Sequence, residues 1–275
     1  MSELFQKQKC LHLAMSYGIC LLSAVPGRSE PKSTSELVTQ LLFGQMYTLV
    51  SVQEEWLEIQ LDRDAYPCWI HKTQHRDLDA TLYQSFKQTH TPLVHDLIAT
   101  YQNVESRQVQ FLSMGCELPM MLSQDQLPAF LQYRKLEHIP PLEPEGPRSY
   151  LQHKAIQFLG VPYLWGGKTP FGIDCSGLVQ ILFSLLGHAL PRNASQQVQM
   201  GNTLNFIEEA ECGDLAFFDN TDGHITHVGI LLNAQRVIHA SGSVRIDPID
   251  HYGIKPQHSE SYTHRLRVIK RIIDL

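Results

Sequence analysis

Three residues of this chain could together cleave an acyl bond: Cys175, His227 and His239. A thiol becomes a useful nucleophile when a neighbouring base takes its proton and a third group orients that base. Imidazole serves both tasks, because its two nitrogens hold and pass a proton near neutral pH. In that arrangement Cys175 attacks, His227 takes its proton, and His239 holds His227 in the working tautomer. The same side chains also match a catalytic zinc set with one open position. No further ligand pattern accompanies them, so no metal is expected. Singly, each residue has an ordinary explanation. Free cysteine is commonly a small core residue. The chain holds 14 histidines, and His224 stands close enough to compete with His227.

The elements around these residues favour the chemical reading. Residues 161–187 read as a loop that delivers Cys175 to the start of a helix. Pro162, Gly166, Gly167, Pro170 and Gly172 keep its first part irregular. Asp174 is a good N-cap, which puts Cys175 in the first helical turn. Leu178, Val179, Ile181, Leu182, Leu185 and Leu186 make the helix apolar on most sides, so burial is expected. Gly187 ends it. A thiol there sees the partial positive charge of the helix N-terminus, which favours thiolate. His227 opens a strand over 228–232 and His239 lies in the next, over 236–240, with 233–235 as the loop. Three loop residues pair Leu232 with Arg236 and set His227 opposite Ser241. Alternation then puts both imidazoles on one face. A two-residue loop would shift the register by one and separate them. The loop lacks the Asn-Gly or Asp-Gly signal of the shorter turn.

Earlier in the chain, residues 1–78 read as all-β after a short lead. Strands are expected over 19–25, 37–43, 46–52, 56–61 and 68–71, with a turn over 26–31. Short strands with such punctuation predict a small barrel, its core drawn from Tyr47, Leu49, Trp56, Leu57 and Ile59. The stretches Ser-Glu-Leu-Val-Thr-Gln-Leu-Leu-Phe-Gly-Gln, Trp-Leu-Glu-Ile and Tyr-Pro-Cys-Trp-Ile resemble a bacterial SH3-like domain. Residues 79–147 are read as a second SH3-like domain, with strands near 95–101 and 109–114, ending in the proline-rich connector 139–147. In the third domain, 148–275, a helix over 149–159 presents Leu151, Ala155, Phe158 and Leu159. The cysteine helix, a short helix over 193–200, and strands over 214–218, 228–232, 236–240, 244–246 and 266–272 follow. Helices first and an antiparallel sheet later make this domain α+β.

Bulk composition narrows the classes. Of 275 residues, 43% are hydrophobic and 18% charged, a globular balance with room for two or three domains. The net charge of −6 and the lack of a basic block exclude nucleic acid as an expected partner. No apolar run reaches the length of a membrane span. The six cysteines are scattered, without a CxxC, which suits a reducing compartment. Residues 10–25 imitate a signal peptide, but Glu3 lies in its basic region and Pro26 follows the cleavage zone. No signal is expected.

The blocks Tyr-Leu-Trp-Gly-Gly-Lys-Thr-Pro-Phe-Gly-Ile-Asp-Cys-Ser-Gly-Leu-Val-Gln, Gly-Asp-Leu-Ala-Phe-Phe, His-Val-Gly-Ile and Val-Ile-His-Ala-Ser resemble the NlpC-type cell-wall cysteine peptidases. The resemblance implies a papain-like α+β peptidase domain behind SH3-like barrels. The layout looks like the γ-D-glutamyl-L-diamino-acid endopeptidases, which cleave murein peptides after L-Ala-γ-D-Glu. It implies Cys175 as nucleophile, His227 as base, His239 as orienting residue and Tyr163 as an oxyanion donor. Trp165 and Ser195 match positions near the diamino-acid pocket. Asp174, Ser176, Glu36 and Tyr66 match positions at the substrate's N-terminal end. The implied partner is a murein peptide with a free L-alanine, no cofactor is required, and the implied setting is peptide recycling in the cytoplasm. An exported wall-remodelling hydrolase, periplasmic or extracellular, is the alternative. A non-catalytic wall-peptide binding module is a third reading, disfavoured by the intact Cys175, His227 and His239.

Overall fold

The computed structural model describes residues 16–119, 127–136, 146–257 and 259–273. The lead before residue 16 and most of the connector 139–147 lie outside the described residues. The chain divides into two compact units, Met1–Ile139 and Pro140–Leu275.

The first unit opens with β1 (Tyr17–Ile19), β2 (Ala24–Arg28), β3 (Leu37–Leu42), β4 (Met46–Gln53), β5 (Trp56–Leu61), β6 (Pro67–His71) and β7 (Asp77–Leu78). They pair antiparallel in the order β3-β2-β6-β5-β4-β1-β7. A bulge in β4 between Leu49 and Ser51 lets this long strand bend around the core. Val25, Leu41, Tyr47, Leu49, Leu57, Ile59, Leu61 and Ile70 fill that core. The turn spacing predicted a small all-β fold here, and the resemblance its SH3-like type. Trp56 departs from expectation. It alternates with Leu57 and Ile59, so it faces outward, half-buried, with its ring edge-on to His71 at 5.3 Å. The expected strand over 19–25 is also two pieces. β1 stops at Ile19, and β2 runs through Pro26, where a turn was expected. Pro26 pairs only with Gln40, and β6 reaches β2 only at Arg28, so the missing N–H of proline breaks no ladder.

Next come α1 (Ala80–Lys87), β8 (Ile98–Asn103), β9 (Val109–Ser113) and β10 (Tyr133–Lys135). The helix, absent from the sequence reading, is capped by Asp79, which accepts from Thr81 N–H at 2.8 Å. The strands form a three-stranded antiparallel sheet in the order β10-β8-β9.

The second unit comprises α2 (Gly146–Ile156), β11 (Lys168–Thr169), β12 (Gly172–Ile173), α3 (Cys175–Ser184), α4 (Ala194–Gln197), β13 (Asn202–Leu204), β14 (Leu215–Asp219), β15 (Ile225–Asn233), β16 (Arg236–Ser241), β17 (Ser243–Asp250), β18 (Gly253–Ile254) and β19 (His264–Arg271). Its main sheet runs β13-β19-β14-β15-β16-β17-β18, and β18 also pairs with β19, closing the sheet on itself. Ala216, Phe218, Leu231, Val237, Ile249 and Ile254 pack in one cluster on it. Every residue of α3 is buried, as its apolar composition predicted. The helix ends at Ser184, and Gly187 completes the stop. Its φ of +83° lets Gly187 N–H bond Ser184 O and His188 N–H bond Phe183 O, both at 3.0 Å. On α2, Leu151 and Ala155 are buried as expected, whereas Leu159 lies past its end and is exposed.

The β15–β16 hairpin reaches the expected register by an unexpected route. Asn233 pairs with Arg236, so the loop has two residues, Ala234 and Gln235. A regular two-residue loop would separate the imidazoles. Here Leu232 is bulged out, and the strands resume with Leu231 opposite Val237 and Ile230 opposite Ile238. The bulge removes the one-residue shift.

Candidate active site

Loop and helix fix the thiol. Asp174, at the cap of α3, accepts from Gly177 N–H at 2.7 Å through Oδ1 and from Gly166 N–H at 2.9 Å through Oδ2. Its carboxylate thus ties the loop to the helix start. Arg192, 2% exposed, closes on the same carboxylate in a bidentate pair: Nη1 donates to Oδ1 at 3.0 Å and Nη2 to Oδ2. Arg192 Nη1 also donates to Ser176 Oγ at 2.8 Å, and Ser176 Oγ to Asp174 Oδ1 at 3.3 Å. Removing one partner of such a buried pair typically costs ~3–5 kcal/mol. Gly177 is held by close approach, since a Cβ there would stand 2.6 Å from Gly167 O.

Cys175 begins α3 and is buried. Backbone N–H groups of Val228 and Ser176 bond its sulfur, which seats it beside β15, where Val228 follows His227 in sequence. Burial, helped by the Asp174 charge, pushes the thiol up to about 11 despite these N–H groups and the Arg192 charge. The sequence expectation of a helix terminus favouring thiolate is therefore corrected. The terminus acts as predicted, but desolvation outweighs it.

The two imidazoles meet as the register required. His227 Nε2 lies 2.9 Å from His239 Nδ1, and His239 Nε2 lies 3.0 Å from Asp247 Oδ2. All three are buried. The ionised carboxylate only accepts, so His239 carries its proton on Nε2 and offers Nδ1 as a lone pair. His227 then donates from Nε2, leaving its Nδ1 as the basic nitrogen. Burial, with His239 and His264 nearby, holds His227 well below its usual range, so that nitrogen is unprotonated at neutral pH. Burial would raise Asp247, but hydrogen bonds from His239 and Arg245 hold it at about 2. Arg245 Nη2 donates to Asp247 Oδ1 at 2.8 Å. Gly229 lies where only hydrogen fits, because a Cβ would stand 2.5 Å from Val237 Cγ2 and 3.1 Å from His239 Cβ.

The other predicted residues divide. Tyr163 is half-buried, and burial plus the charges of Cys175 and Asp174 raise its phenol to about 12, so it stays a donor. Trp165 and Ser195 are exposed, the first at 57%. Ser176 and Asp174 are turned to Arg192. Five donors from the protein fill the Asp174 carboxylate. In the first unit, Glu36 is exposed and Tyr66 packs half-buried against the barrel core.

Three residues were missed by sequence reasoning: Asp247, Arg192 and His264. Asp247 was findable. Gly242, at φ +72°, turns β16 tightly into β17, which sets Val237 opposite Asp247 and His239 opposite Arg245. Arg192 carried no local signal, since its partner lies 18 positions earlier. His264 opens β19, which pairs with β14 on the side opposite β15 and so comes near His227, with ring centroids 4.3 Å apart.

Comparison with known proteins bears on this site. Residues 160–265 match the NlpC/P60 family, and residues 27–74 match the bacterial dipeptidyl-peptidase Sh3 domain. The chain is 28% identical over 226 residues to the gamma-D-glutamyl-L-lysine dipeptidyl-peptidase of Bacillus subtilis, spanning 74% of this chain and 71% of that one. It is 27% identical over 270 residues to the protein of the same name from Bacillus cereus, spanning 86% and 77%. In structure it is similar to an NlpC/P60 family protein from Bacillus cereus, with a TM-score of 0.73 and 22% identity over 94% of this chain and 99% of that one. A buried thiol at a helix start, a hydrogen-bonded histidine pair and these matches lead to one assignment: the chain carries an NlpC/P60 cysteine peptidase domain with a bacterial SH3-like domain ahead of it.

Proposed function

We propose that this peptidase hydrolyses the bond between the γ-carboxyl of D-glutamate and the following L-diamino acid in murein peptides that begin with L-alanine. The observation that carries the chemistry is the line Asp247–His239–His227, which leaves a lone pair on His227 Nδ1, one residue before Val228, whose backbone N–H bonds the Cys175 sulfur. Cys175 Sγ attacks the carbonyl carbon while its proton passes to His227 Nδ1. The oxyanion accepts from the Tyr163 phenol and from Cys175 N–H, in the first helical turn where N–H groups lack helical partners. His227 returns the proton to the leaving amine, and the C–N bond breaks to give a thioester. Water, deprotonated by His227, then releases the acid and restores the thiol. Trp165 and Ser195, both exposed, are assigned to the diamino-acid end.

The names of the two Bacillus relatives support this substrate class, as does a similarity that runs through both units. Recycling of wall-derived peptides in the cytoplasm is the setting we propose. Cys20, Cys116, Cys175 and Cys212 are thiols, which suits a reducing compartment. One observation favours the alternative, a hydrolase acting on intact wall. Asp174 is already balanced by Arg192, so a substrate ammonium there gains less than it would beside an unpaired carboxylate. Blocking the L-alanine amine is then expected to slow hydrolysis little.

The test incubates the protein with L-Ala-γ-D-Glu-L-lysine and its meso-diaminopimelate counterpart, with products read by mass spectrometry. Release of L-Ala-D-Glu and free diamino acid, abolished in Cys175→Ala, is expected. Folded protein that releases neither from either peptide overturns the proposal. Comparison with the N-acetylated peptides and purified sacculi separates recycling from wall remodelling.

A further inference from the structure

The proposed reaction makes no use of His264, although its ring stacks on that of His227, tilted by 31°. Its ring centroid is also 5.4 Å from that of His239. One ring nitrogen from each of the three residues lies within 4.8 Å of the others, the only such cluster of metal-binding side chains among the described residues. His227 and His239 are buried and His264 is half-buried, so the set is reachable from the His264 side. Each ring has a nitrogen suited to a metal. His239 gives its Nε2–H to Asp247, leaving Nδ1. His264 Nδ1 lies 2.9 Å from Thr263 Oγ1, leaving Nε2. His227 Nε2 faces His239 Nδ1 at 2.9 Å. Two nitrogens on one tetrahedral zinc stand ~3.3 Å apart for bonds of ~2.0–2.1 Å, so a small opening of this pair admits an ion. A histidine whose second nitrogen donates to a carboxylate is also the usual support of a metal-bound imidazole.

We propose that His227, His239 and His264 form a binding site for a divalent transition-metal ion of the zinc type, and that its occupancy switches the peptidase off. Three imidazole nitrogens suit zinc, copper or nickel and not magnesium or calcium. Water would fill the remaining position. Inhibition follows from the tautomer. The metal bonds to His227 Nε2, and the proton that Nε2 carried moves to Nδ1. That nitrogen can then no longer accept the thiol proton. The sulfur is untouched and no electron changes hands. The inhibitory half rests on the role proposed for His227; the binding half does not.

The experiment separates the two halves. Zn²⁺ is titrated by calorimetry into the full-length Cys175→Ala protein, and Co²⁺ is followed by its visible absorption. One saturable site with tetrahedral Co²⁺ bands is expected. Adding His264→Phe, which keeps the stacked ring and removes its nitrogen, should weaken binding at least ~100-fold, since even outer partners of a metal are worth ~10–100-fold. In the active protein Zn²⁺ should stop hydrolysis reversibly with EDTA. His264→Phe should raise the inhibition constant by a similar factor, read against its own metal-free turnover. His264→Gln replaces it if the phenylalanine variant fails to fold by circular dichroism. No saturable site in the Cys175→Ala protein, or equal affinities with and without the His264 nitrogen, overturns the proposal. Both outcomes are readable even if the peptide assay finds no activity.

Discussion

Cys175 and Asp247 show how far a residue's surroundings reset its chemistry. With the thiol at about 11 and His227 unprotonated, the resting pair is neutral, and thiolate forms as the attack proceeds. The sign follows directly. Thiolate is the alkylated species, and it grows tenfold per pH unit below the thiol pKa. Iodoacetamide should therefore label Cys175 slowly at pH 6–7 and progressively faster toward pH 10. A fast rate at pH 6 that stays flat above it would reveal a resting thiolate–imidazolium pair instead. Asp247 acts through His239 and positions it. Asp247→Asn can donate to His239 Nε2 and so invert both tautomers, leaving His227 Nδ1 protonated. A loss in kcat of ~100-fold or more, with KM little changed, is expected by analogy with tautomer inversion in serine peptidases, where the loss is ~10⁴-fold. Unchanged kcat in this variant would remove Asp247 from the line.

Between residue and fold stands the β15–β16 hairpin, whose bulge decides whether the histidines meet. Leu232 absorbs the one-residue mismatch between a two-residue loop and the working register. Deleting Leu232 removes the bulge but keeps Leu231 opposite Val237, so the imidazoles stay paired and hydrolysis should survive within ~10-fold, the cost of ~1.4 kcal/mol of local repacking. Inserting one glycine after Gly229 moves His227 to the opposite face from His239 and should abolish hydrolysis while the sheet still forms. Activity in the insertion variant, or its loss in the deletion variant with circular dichroism intact, would contradict this account of the register.

At the scale of the molecule, each unit carries its own core and its own sheets. The sheet holding the histidines closes on itself through β18 and β19, and all its strands come from the second unit. Residues 140–275 are therefore expected to fold alone, measured as cooperative urea unfolding of that fragment. A fragment without a cooperative transition would show that its closure depends on the first unit. If it folds, its kcat/KM relative to the full chain measures what the first unit contributes to hydrolysis.

Local chemistry by itself determined a large part of this protein. The Asp174 cap, the all-round apolar helix behind Cys175 and the glycine stop at 187 are signals read within one or two turns. So are the alternating strands around His227 and His239, because side-chain period and capping act over a few residues. Tertiary structure decided what depends on distant partners. Arg192 neutralises Asp174 from 18 positions away. Strand pairing on both sides of β14 brings His264 to His227 across 37 positions. Burial reverses the expected ionisation of Cys175, because desolvation is a property of the packed interior and no neighbour in sequence encodes it.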